Sequence, residues 1–220
     1  MAFASTAASA DASEADHFDL SGALTFFLAL VAQLLRAHQA DGAHLALCPF
    51  NIDVNDEDLP SLMKEVSAPV AYMSPEQSGR MNRRVDQRSD YYSLGVIFYE
   101  LLTGRLPFES DSPMEVVYSH IAKLPIDPIK INPTLPPAVS DIVLKLLSKN
   151  AEDRYQSLKG LAADLQRCLN ALSKGHSIER FKLGEHDVSE RLQIPQKLYG
   201  REGELGQLIG AFNRIANGGT

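Results

Sequence analysis

One stretch limits the possible folds more than any other. From Tyr91 to Thr103 the chain is apolar almost all the way round, with Leu94, Val96, Ile97, Phe98, Leu101 and Leu102 leaving no broad polar stripe. A helix of this kind sits in the middle of a domain, because water on any side would meet apolar surface. Gly104 suits the left-handed position just past a helix end, and Pro107 follows where a helix cannot continue. At the other end Ser89 or Asp90 is expected to act as N-cap, a side-chain oxygen accepting an orphan N–H.

The surrounding helices are visible as periodic stripes. Leu24, Phe27, Leu28, Val31, Leu34 and Leu35 repeat at helical spacing, and Asp41-Gly42 ends that run. Met114 to Ala122 predicts a short helix. A Pro-rich piece, 125–137, separates it from a face built by Val139, Ile142, Val143, Leu146 and Leu147. Leu158, Leu161, Ala162, Leu165, Leu169 and Leu172 form a further amphipathic face. Between the first helix and the central one, Ala43 to Val54 reads as loop with short strands, Asn55 to Glu57 as a turn, and Met63 to Arg88 as an ordered loop. Residues 1–17 are small and acidic and read as a disordered lead-in. Residues 173–198 show little period and read as a linker. Leu205, Leu208, Ile209, Phe212 and Ile215 start a last helix. No internal repeat points to a solenoid. The fold class expected is therefore mainly α, with one domain over 18–172.

Composition removes several classes of function. Apolar residues make up 45% of the chain, enough for a core, and a net charge of −7 argues against nucleic acid as main partner. The two cysteines, Cys48 and Cys168, have no partner spacing, so neither a disulfide framework nor a zinc site is expected, and a reducing cytoplasm is the simpler setting. The six histidines show no metal-ligand spacing. The first 16 residues hold no Lys or Arg, so no secretory signal is read. Leu20 to Leu35 is apolar but short and is broken by Ser21, Gly22, Thr25 and Gln33. A buried helix is expected there rather than a membrane span.

Four motifs in order carry a resemblance. Ala71-Tyr72-Met73-Ser74-Pro75-Glu76 resembles the end of a protein kinase activation segment. Asp90-Tyr91-Tyr92-Ser93-Leu94-Gly95-Val96 resembles the start of the central kinase helix. Glu100 to Phe108 resembles that helix's end and the turn beyond it. Glu152-Asp153-Arg154-Tyr155 resembles the late motif carrying a buried arginine. The sequence is thus similar to the C-lobe of a Ser/Thr protein kinase. The resemblance implies that Glu76 and Arg154 form a buried salt bridge, that Asp90 accepts backbone N–H bonds from the catalytic loop, and that Gly95 belongs to the conserved helix motif of the family. For Asp90 the plain alternative is an N-cap.

The chemistry of the resemblance is incomplete in this chain. His44-Leu45-Ala46-Leu47-Cys48-Pro49-Phe50-Asn51 lines up with His-Arg-Asp-x-Lys-Pro-x-Asn. His44, Pro49 and Asn51 match. The proton-acceptor position is Ala46, whose methyl group takes no proton, and the lysine position is Cys48. No Asp-Phe-Gly lies between Asn51 and Ser74, although Asp53, Asp56, Glu57 and Asp58 are acidic, and that interval is short for an activation segment. The residues ahead of the first helix contain no glycine or lysine, so the ATP-binding N-lobe is expected to be missing. No intact catalytic residue, no metal and no cofactor are expected for this chain, where the family uses ATP and Mg. Cys48 reads as a packed thiol. Arg80, Arg83, Arg84 and Arg88 form a basic cluster, either a solvated loop or a site for a phosphate or acidic segment.

Near the C-terminus Leu198-Tyr199-Gly200-Arg201-Glu202 resembles the entry to an AAA-type ATPase domain, making 199–220 its start. A kinase-like C-lobe followed by this linker resembles large signalling proteins that join a Ser/Thr kinase-like domain, an ATPase-like domain, a GAF sensor and a hybrid histidine kinase. The expectation is a degenerate kinase-like module in cytoplasmic signal transduction, without phosphoryl transfer. Its partners would be proteins or the remaining domains, with no nucleic acid and no membrane span. Two alternatives stand beside it: the C-terminal part of an active Ser/Thr kinase, and an incomplete gene fragment of a hybrid sensor histidine kinase. The face that would meet an N-lobe is expected to be apolar and uncovered.

Overall fold

A computed structural model describes residues 19–55, 60–63 and 67–188. The expectations placed on 1–17, on Asp56, Glu57 and Asp58, on the tail helix and on the ATPase-like entry lie outside the described residues.

Helix α1 (Leu20–Asp41) buries the stripe Leu24, Phe27, Leu30, Val31 and Leu34 and packs against α6 (Leu158–Ser173). It is long and apolar enough to cross a membrane by length and composition, and its buried face serves a helical core here. A 3-10 turn, Pro49–Asn51, leads into β1 (Ile52–Val54), which pairs antiparallel with β2 (Pro60–Leu62) in the register Ile52 to Leu62 and Val54 to Pro60. Two further 3-10 turns, Val70–Tyr72 and Pro75–Ser78, interrupt the stretch expected as loop. Ser74 and Gln77 close the second one by bonding each other's ends, Ser74 N–H donating to Gln77 Oε1 at 2.9 Å.

The central helix α2 (Gln87–Thr103) is buried on nearly every side from Ser89 to Tyr99, and α5 (Pro137–Leu146) packs along it. Phe27 of α1 stacks on Phe98 with ring centroids 3.7 Å apart. Gly95 makes the α2–α5 approach possible, because a Cβ there would lie 2.7 Å from the Leu146 Cβ. Gly104 closes α2 at φ 71°, with its N–H on the Glu100 carbonyl.

Two readings are corrected at this level. The N-cap of α2 is Asp86, whose carboxylate accepts the Arg88 N–H at 2.9 Å; Ser89 and Asp90 lie in the first turn and send their side chains elsewhere. The Pro-rich piece contains α4 (Pro128–Ile131), capped by Asp127. Prolines also open α3 (Pro113–Ala122) and α5, at first-turn positions where the missing N–H has no helical partner to lose. The segment read as linker is, over 174–188, held against the helical body. Ile178 is buried and Asp187 bonds the start of α6.

Candidate functional site

Two charged anchors meet at the N-terminal end of α2. The first surrounds Arg154. Its guanidinium is fully buried and all five N–H donors have acceptors: Glu76 Oε1 (2.7 Å), Glu76 Oε2 (2.8 Å), and the carbonyls of Ser148 (2.8 Å), Arg88 (2.8 Å) and Lys149 (3.2 Å). The Tyr92 ring lies under it at 4.9 Å. Ser89 Oγ donates to Glu76 Oε1 at 2.7 Å. Burial pushes the Glu76 carboxyl up, but Arg154's hydrogen bonds and charge, helped by Ser89, outweigh this and hold it below its ordinary range. A bidentate pair so buried ties the Pro75–Ser78 turn to the loop before α6. It specifies that geometry more than it adds net stability.

The second anchor is Asp90, fully buried in the first turn of α2. Oδ2 accepts the His44 N–H at 2.7 Å, Oδ1 accepts the Leu45 N–H at 2.6 Å, and His38 Nε2 of α1 lies 2.8 Å from Oδ2. The carboxylate thus grips the backbone of the His44–Asn51 loop from α2. Leu45 is held at φ 60°, the left-handed region that costs a branched side chain roughly 1–2 kcal/mol, and the two charge-assisted bonds stabilise that turn. Its carbonyl accepts from Gln77 Nε2 at 2.8 Å, so both anchors also touch through the Pro75–Ser78 turn.

Within the gripped loop, Asn51 is buried and its Nδ2 donates to the Ala46 carbonyl. The Asn51 carbonyl accepts the Met63 N–H at 2.9 Å, and His44 Nε2 lies 3.1 Å from the Met63 carbonyl. Ala46 presents only a methyl group. Cys48 is buried and burial raises its thiol pKa, which suppresses thiolate formation and nucleophilicity. Leu45, Phe50 and Met63 leave apolar surface around the loop, Phe50 being 67% exposed.

The four arginines of the basic cluster do not converge. Arg83 pairs with Glu152 at 2.9 Å, and Arg88 pairs with Asp86 at 2.8 Å and donates to Gln156 Oε1. Arg80 and Arg84 are exposed, and Arg80 reaches the Met114 sulfur. Among the described residues no group of His, Cys, Asp and Glu is placed to hold a metal ion.

Residue reasoning did not find the cluster beside Arg154. Tyr92 Oη is 2.9 Å from His120 Nδ1, and Lys149 Nζ lies 3.4 Å from Tyr92 Oη and 4.4 Å from the Phe108 ring centroid. Burial, with the Lys149 charge, pushes His120 down to about 4. Burial, with the Arg154 charge, pushes Lys149 down to about 8. The signal was spread over four distant positions, and only the fold collects them.

An α2 carboxylate gripping the loop and a glutamate–arginine pair locking the segment before α2 are the two contacts the motif resemblance implies. A profile of the protein kinase domain matches residues 43–165, more than half of the chain. This chain belongs to the protein kinase domain family. It is 39% identical over 197 residues to the hybrid signal transduction histidine kinase G of Dictyostelium discoideum, covering 77% of this chain and 6% of that protein. It is 32% identical over 201 residues to a probable serine/threonine-protein kinase of Corynebacterium efficiens, covering 81% of this chain and 30% of that one. Serine/threonine-protein kinase PknB of Mycobacterium tuberculosis is 46% identical over 99 residues, 45% of this chain and 16% of that kinase. The chain therefore spans between 6% and 30% of these relatives' lengths. The mostly helical body fits a kinase C-lobe-like fold.

Proposed function

We propose that this chain is a kinase-fold module of signal transduction that acts as an interaction or regulatory element and does not itself transfer a phosphoryl group. Membership of the kinase family and the similarity to Ser/Thr kinases support the signalling role. The observation that carries the rest is the loop gripped by Asp90: its backbone is held as a catalytic loop, yet its proton-accepting position is Ala46. Proton acceptance needs a basic atom within hydrogen-bond reach of the substrate hydroxyl, and a methyl carbon has none. Cys48, neutral and packed, supplies no charge where a lysine would face phosphate, and no Asp-Phe-Gly follows Asn51 to hold magnesium. No cofactor is proposed for this chain. The proposed setting is cytoplasmic, and the proposed partners are proteins or further domains of a hybrid histidine-kinase type of polypeptide, as in the Dictyostelium relative.

The test is incubation with labelled ATP, magnesium and a generic protein substrate, beside an active Ser/Thr kinase as positive control. It is run on the chain and on any longer polypeptide that contains it. No incorporation is expected; transfer above background would favour the reading as part of an active kinase.

A further inference from the structure

Residues 176–187 lie beyond the stretch that matches the kinase profile, yet they close on the helical body, with Asp187 accepting three hydrogen bonds and Arg180 pairing with Asp141 of α5 at 3.0 Å. Asp187 Oδ2 accepts the Gln156 N–H at 2.7 Å, and Oδ1 accepts both the Ser157 N–H and the Ser157 hydroxyl at 2.8 Å. Gly184 N–H donates to Asp164 Oδ2 at 2.7 Å, the same oxygen that accepts the Tyr155 hydroxyl at 2.6 Å. Gly184 has φ 72°, so glycine makes this turn without strain. Ile178 is buried, and Phe181 lies under the Arg167 guanidinium at 4.2 Å. Gly160 of α6 is shaped to admit the segment, since a Cβ there would stand 2.6 Å from the Asp187 Cα.

The residues that Asp187 holds are the direct continuation of Arg154. Gln156 Nε2 donates to the carbonyls of Arg154 (2.8 Å), Ala151 (3.0 Å) and Glu152 (3.2 Å), while its Oε1 accepts from Arg88 at 3.0 Å. The Arg88 carbonyl in turn accepts from Arg154, which grips Glu76. We infer that residues 176–187 form a strap that sets the rigidity of the Glu76–Arg154 anchor, so that a change in the chain following Val188 reaches the Pro75–Ser78 turn through Asp187. The route runs from Asp187 through Gln156 and Arg88 to Arg154 and Glu76, by hydrogen bonds joined by short backbone steps. It holds whether or not the module transfers phosphate.

Hydrogen exchange on the full chain with Asp187→Asn and, separately, Gly160→Ala tests the strap. Both variants are expected to speed amide exchange over residues 75–79 and at Ser89 by roughly 2- to 30-fold, the range of such couplings. Exchange over α3 and α4 should stay unchanged. Ser157→Ala removes one of the three bonds to Asp187 together with the α6 N-cap that its hydroxyl makes by accepting the Gly160 N–H, so it should speed exchange at the start of α6 and give a smaller increase over the Pro75–Ser78 turn than Asp187→Asn does. Faster exchange confined to 156–162 and 176–188 would overturn the inference, because the strap would then be a local cap. Equal acceleration across every helix would overturn it too, because the strap would then support the whole body.

Discussion

The two anchors at the start of α2 differ in what they hold. Arg154 and Glu76 hold structure with structure, and every donor on the arginine is used. Asp90 holds the backbone of a loop that carries Ala46 and Cys48 where the motif resemblance leads one to expect Asp and Lys. The contrast teaches that the hold on this loop is independent of the side chains the loop presents. The grip on the loop comes from one carboxylate and two backbone N–H groups, neither of which depends on the side chain at position 46.

The largest effect expected on this contrast comes from its structural half. Arg154→Ala leaves Glu76 buried and unpaired and should cost about 3–5 kcal/mol in urea unfolding. The double variant Glu76→Leu, Arg154→Met should cost less than the single one, because no charge is then stranded; equal or greater loss would break the reading of Arg154 as a geometric lock.

Acid should weaken the same half next. The folded-state pKa of His120, about 4, lies below its ordinary 6.5, so the unfolded chain binds the extra proton between these values. Its contribution is complete above pH 6.5 and is lost as pH falls towards 4, by on the order of 2–4 kcal/mol. His120→Gln should flatten that slope. Glu76, also depressed, contributes above its unfolded pKa of about 4.5 and loses its share only at more acid pH, so its slope should survive the substitution. A slope unchanged in His120→Gln would assign the acid sensitivity elsewhere.

The Asp90 half should respond less. In Asp90→Asn the amide NH₂ faces a backbone N–H in place of one acceptor oxygen, which should cost roughly 1.5–3 kcal/mol. Amide exchange at His44 and Leu45 should rise selectively. If those amides stay protected, the loop is held by something other than Asp90. Smallest of all, Ala46→Asp should change stability by no more than about 0.5 kcal/mol and should yield no phosphoryl transfer with labelled ATP. Incorporation by this variant would show that one carboxylate is all the loop lacks.

Much of this was legible in the residues. The all-round apolar run from Leu94 to Leu102 required surrounding helices, and the 3.6-residue stripes on α1, α5 and α6 identified them. Two misreadings share one cause. Ser89 looked like a cap, but its hydroxyl serves Glu76, and Asp86 three residues earlier does the capping. The Pro-rich piece 125–137 does separate α3 from α5, and its Pro128 and Pro137 also open helices. Residues 174–188 looked like linker for lack of period, yet one carboxylate and one glycine seat them on α6. Ser89 and Asp187 both answer to partners 13 or more residues away in the chain.

The sequence by itself determined the helical class, the central helix, the kinase motifs and the methyl group at position 46, because periodicity and residue identity are local properties. The motif resemblance already implied partners for Glu76 and Asp90, while only the tertiary structure decided those of Asp187, Arg83 and Arg88. A carboxylate taken wholly or partly out of water is stable only when its acceptor positions are filled, and those for buried Glu76 and Asp90 and half-buried Asp187 are filled by donors 78, 46 and 31 residues away.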